Sequence, residues 1–145
     1  MAPLQKRALL SFIVGLILTF ALVAVLVIQG SVTALESSLN LRLVMYAAMV
    51  GVPLSFLILV HLTLRKPTQV DERDRRILER SSWVQWLAAI FTLVAWNITL
   101  TENYHDMGQV PVVFINLIFV STLIIGTLAQ SFGILIGYWR GVSRD

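Results

Sequence analysis

The chain has 145 residues, enough for one domain; 57% of them are hydrophobic and 13% charged, where a soluble domain has roughly 45–50% and about 25%. That balance excludes an ordinary soluble fold, because lipid is the solvent that accepts so much apolar surface. The absence of cysteine excludes disulfides, thiolate metal sites and thiol nucleophiles, and a net charge of +3 carried beside apolar segments speaks for membrane topology rather than nucleic acid.

The first apolar segment runs from about residue 8 to 29 and contains no charge. At 1.5 Å per residue it spans about 33 Å, enough for the hydrocarbon core. Lys6 and Arg7 precede it and the small stretch Val32-Thr33-Ala34 follows, as in a signal peptide. A signal core is only roughly 7–15 residues long, so a retained helix is predicted. The second segment, about 43–64, contains Pro53, which removes one helical hydrogen bond and predicts a kink. The third covers about 83–100 and the fourth about 110–139, with a charged connector over 65–82. The fold expected is all-α: a single transmembrane domain over 1–145, an integral membrane four-helix bundle.

Charge gives the orientation. Lys6, Arg7, Arg65, Lys66, Arg73, Arg75, Arg76, Arg80, Arg140 and Arg144 are ten of the eleven basic residues, and four alternating crossings put all ten on one side. Arg42 alone lies on the other, with Glu36, Glu102 and Asp106. The positive-inside rule then gives N-in and C-in in a multi-pass protein of the cell membrane. Trp83, Trp86, Tyr138 and Trp139 mark the inner border and Tyr104 the outer, since these rings prefer the interface.

An internal repeat is one reading of the helices. At an offset of 71, Ser11 and Phe20 meet Ser82 and Phe91; at an offset of 76, Ser55 to Leu59 meets Ser131 to Leu135. As a repeat, this makes two tandem helical hairpins about an axis along the membrane normal. As chance, it reflects the small alphabet of apolar helices.

The stretch from Asp71 to Arg80 predicts a short helix leading directly into the third segment. Pro67 breaks what precedes it. Asp71 can cap the helix, Glu72 and Asp74 favour its positive end, and Asp71 with Arg75 and Glu72 with Arg76 are i,i+4 pairs. Arg73, Arg75, Arg76 and Arg80 are the candidate contacts for a cytoplasmic partner or anionic lipid. The plainer reading is a solvated, salt-bridged helix that fixes topology. A divalent cation on Asp71 and Asp74 is the least supported alternative.

The run Asp71-Glu72-Arg73-Asp74 followed by Ile77, together with the closing Tyr138-Trp139-Arg140-Gly141-Val142, resembles a family of small prokaryotic four-helix membrane proteins known only as a domain of unknown function. The resemblance covers about residues 71–142 and rests on the two ends. It implies architecture, and it lends no activity, cofactor or catalytic residue.

The spans themselves are chemically quiet. No Asp, Glu, Lys or Arg falls inside a predicted span, although an intramembrane ionisable group is what a membrane enzyme or a cation exporter needs. No catalytic residue, metal site or cofactor is expected. His61 and His105 fall at opposite faces and cannot share one metal. The polar groups within spans are Gln85, Ser55, Thr92, Ser121 and Thr122, with Asn97, Asn116 and Gln130 as candidate intramembrane contacts. They act as glue between helices or line a polar path, and Asn97 and Asn116 are expected near each other. Gly133 and Gly137 have the Gly-x-x-x-Gly spacing that serves internal packing or dimerisation. The function expected is a non-enzymatic accessory or interaction protein, with membrane lipid, a cytoplasmic protein or further copies of itself as partners; the alternative is an oligomeric small-solute or ion transporter or channel.

Overall fold

The apolar segments are helical in the computed structural model, which describes residues 2–30, 39–63 and 71–142. The helices are α1, Pro3–Gln29; α2, Leu39–Thr63; α3, Glu72–Tyr104; and α4, Val113–Val142. Among the described residues there is no strand. All four helices are long and apolar enough to cross a membrane.

The ends follow local chemistry. Pro3 stands in the first turn of α1, where its missing N–H is no loss. Gly30 closes the same helix in the left-handed region at φ 69°, donating its N–H to the Val27 carbonyl at 3.3 Å. α2 continues through Pro53 without a break. Gly108, at φ 62°, turns the chain out of α3, and its N–H reaches the Tyr104 carbonyl at 3.2 Å. α4 begins at Val113 rather than at residue 110, because the residue before Pro111 is pushed out of helical conformation. α1, α2 and α3 start earlier than the apolar segments because a helix runs on once its side chains leave the oil. α3 is the extreme case: its 33 residues extend about 50 Å, against about 30 Å for a hydrocarbon core.

α4 is the hub. It packs along α3 and α1, while α2 leans more lightly on α1 and α4 and scarcely meets α3. Three small cores string along it. Leu4, Ala8, Ile134 and Tyr138 fill one end. Val52, Val120 and Ile124 fill the middle, and Met45, Val113 and Leu117 the other end. The hairpins are therefore not equivalent. An exact repeat would make α2–α3 contacts mirror those of α1 and α4, and it would bury Ser82 where α1 buries Ser11; the buried residue is instead Ser81.

The clusters also sort the charges. Lys6, Arg7, Arg73, Arg75, Arg76, Arg80 and Arg140 gather where α1 and α3 begin and α4 ends, here termed the basic end, and Arg42 lies at the opposite end. Glu36, Arg65, Lys66, Pro67 and Arg144 lie outside the described residues. Between the ends the surface is oily. Phe20 and Phe91 are 72% and 70% exposed, and nothing in the most apolar stretch of α3 is buried. Such a belt is suited to lipid and not to water.

Candidate functional site

The site lies where the α3–α4 seam reaches the basic end. Glycines set how closely the two helices approach. A Cβ on Gly137 would come within 2.8 Å of Ile77 Cγ2, and one on Gly133 within 3.3 Å of the Ser81 Cα. Further along, a Cβ on Gly126 would meet Gln85 at 3.6 Å. The Gly133/Gly137 spacing is thus occupied within the chain, holding α4 against α3.

Close approach lets polar groups meet across the seam. Asp74 is only 6% exposed, and its Oδ1 accepts a hydrogen bond from the Tyr138 hydroxyl. Leu4 and Ala8 of α1 and Ile134 of α4 pack around the ring, with Ile77 and Leu78 of α3 beside them. A buried carboxylate is tolerated only with such a partner. One turn beyond, the Arg73 guanidinium lies over Gly141, where any β-carbon would overlap it. Asp74 and Arg73 thus tie the charged start of α3 to the end of α4 from two sides.

The capping expectation is met: the Asp71 carboxylate accepts the Glu72 N–H at 2.7 Å. So is the pair between Arg76 and Glu72, at 2.9 Å. The Asp71–Arg75 pair is not formed. Asp71 turns to its cap, and Arg75 lies 3.5 Å from Glu79 instead. Arg80 and Arg140 form no ion pair among the described residues. Asp74, read from the sequence as a first-turn acid on the face of Asp71, points instead into the bundle. Among the described residues no three His, Asp or Glu side chains come together as metal ligands.

No family model, no curated protein and no solved structure matches this chain. The Asp74–Tyr138 bond and the Arg73 contact with Gly141 together form a clasp between the start of α3 and the end of α4.

The intramembrane candidates are not joined to one another by a side-chain hydrogen bond among the described residues. Asn97 is exposed on α3, Asn116 and Gln130 are half-buried on α4, and none of them forms a hydrogen bond among the described residues. Instead, the Trp96 indole N–H donates to the Ser121 hydroxyl at 2.9 Å, with Phe114 edge-on at 6.0 Å. Most other hydroxyls are satisfied on their own helix: Ser55 by the Val52 carbonyl, Thr92 by that of Ala88, Ser81 and Ser82 by that of Leu78. His61 is exposed at the basic end of α2, and His105, beyond α3, lies 2.8 Å from Asp106.

Sequence reasoning missed the Asp74–Tyr138 clasp and Trp96. The stripe Asp74, Ile77/Leu78, Ser81, Gln85, Ala88, Thr92, Trp96 was a readable signal. It marks one helical face of α3 at three- and four-residue steps, with Asp74, Ser81, Gln85, Ala88 and Thr92 as its small and polar members.

Proposed function

We propose that the chain is a multi-pass protein of the cell membrane with both termini and the basic end in the cytoplasm, serving as a non-enzymatic accessory protein. The working surface is the charged extension of α3, and the partner is a cytoplasmic protein with an acidic face. The observation that carries this reading is the clasp. An 11-residue charged overhang needs no buried anchor if it only fixes topology, yet this one is held by Asp74 and Arg73. The anchor presents Arg75 and Arg76 outward, each with one glutamate on its own helix. Such exposed pairs are weak, so a partner carboxylate can displace them at little cost.

The test is purification at native expression in mild detergent, with mass measurement of the intact assembly. A stoichiometric partner is expected, lost from the Arg75→Ala/Arg76→Ala variant while the bundle stays folded. Recovery of the wild-type chain alone defeats the proposal.

One observation favours the alternative of an oligomeric transporter or channel. The Asn97 amide is exposed between apolar neighbours, a position that gains from a second copy's polar group. Solute flux in liposomes that disappears in Asn97→Leu with Asn116→Leu supports that reading, and flux that survives the pair removes it.

A further inference from the structure

Beside the clasp, on the outward side of the same seam, runs a groove of about 940 Å³. Val84, Phe132 and Ile136 line it beside Gly133 and Gly137, and so do Arg80 and Arg140. We propose that this groove seats one anionic phospholipid, its phosphate between the two arginines and one acyl chain against Val84, Phe132 and Ile136.

Two features point to this occupant. First, the two guanidinium groups come from different helices and have no ion-pair partner among the described residues, while every neighbouring cation on the α3 overhang but Arg73 has a glutamate within reach. Second, the charge lies at one end of a slot that is otherwise apolar, and the exposed Trp139 marks that end as the interfacial level. A phospholipid joins anion and chain in that order. A soluble anion would leave the slot empty, and a second copy would bring the same arginines into opposition. The inference needs the helices to lie in a bilayer, and it is independent of any partner on Arg75 and Arg76.

The full-length protein, delipidated in mild detergent, is titrated with phosphatidylglycerol, with phosphatidylcholine of identical chains, and with inorganic phosphate, and bound lipid is counted by native mass spectrometry. One phosphatidylglycerol per chain is expected in preference to phosphatidylcholine, without competition from phosphate. An arginine near an anionic headgroup contributes about fivefold, so Arg80→Gln and Arg140→Gln are each expected to weaken retention by about fivefold and together by about 25-fold. Arg140→Lys retains the preference, and Arg42→Gln, at the opposite end, leaves it unchanged. If the double variant does not stay folded, the single variants decide. Equal retention of the two lipids, displacement by phosphate, an unchanged preference in the arginine variants, or a dimer that excludes lipid would each overturn the proposal.

Discussion

Tyr138 stands near the end of α4, its ring packed on Leu4 and Ala8 and its hydroxyl donating a hydrogen bond to the buried Asp74 carboxylate. Its Phe variant keeps the ring and removes the donor. Leaving a buried carboxylate unpartnered costs about 1–3 kcal/mol, so Tyr138→Phe is expected to lower unfolding stability in detergent by that amount. Tyr104→Phe is the control, because Tyr104 touches Phe114 through its ring, at 5.4 Å; it is expected to stay within about 0.5 kcal/mol. Equal losses would show that the hydroxyl at 138 does no more than any other. Thr122 makes the opposite case. Its hydroxyl is the buried side-chain group without a hydrogen-bond partner among the described residues. Thr122→Val is expected to leave stability unchanged or raise it by up to about 1 kcal/mol in the same assay, and a clear loss would reveal a partner the fold conceals. Asp74 and Tyr138 were each legible in the sequence as a first-turn acid and a border aromatic. Their pairing was not, because it joins residues 64 positions apart and depends on which helix α3 packs against.

At the scale of elements, apolar length predicted four helices and charge predicted the continuous start of α3. The boundaries were less legible, because helix outlasts hydrophobicity wherever a cap or a salt bridge carries it on. Asp71 and the Glu72–Arg76 pair do so at one end of α3, and the Tyr104–Gly108 turn stops it at the other. Gly133 and Gly137 could be read two ways, and only the packing decides for α3. Two glycine variants separate the roles. Gly133→Leu forces α4 off the Ser81 backbone, and overpacking of this kind costs about 1–3 kcal/mol. Gly51 of α2 has open space around it. Gly51→Ala is therefore expected to be neutral or to add up to about 1 kcal/mol through helix propensity. Thermal unfolding in one detergent compares the two; a tolerated leucine at 133 together with a damaging alanine at 51 would reverse the assignment of the close contact.

For the whole molecule, the decisive arrangement is the segregation of charge. The basic end gathers the clasp, the α3 overhang and the lipid groove, while Arg42, Glu102 and Asp106 stand at the other end. The sequence conveyed that segregation because each charge and the apolar run beside it are read directly from the residues, and helices of alternating direction then sort them by end. It did not convey the inequality of the hairpins, since α4 becomes the hub through glycine contacts spread over three helices. The chain contains no cysteine, so single reporters can be introduced without background. Glu79→Cys at the basic end and Met107→Cys at the opposite end are labelled in intact cells with a membrane-impermeant maleimide. The account expects Met107→Cys to react in intact cells and Glu79→Cys only after permeabilisation. Reaction of Glu79→Cys in intact cells, or recovery of the unlabelled chain in buffer without detergent or lipid, would contradict it.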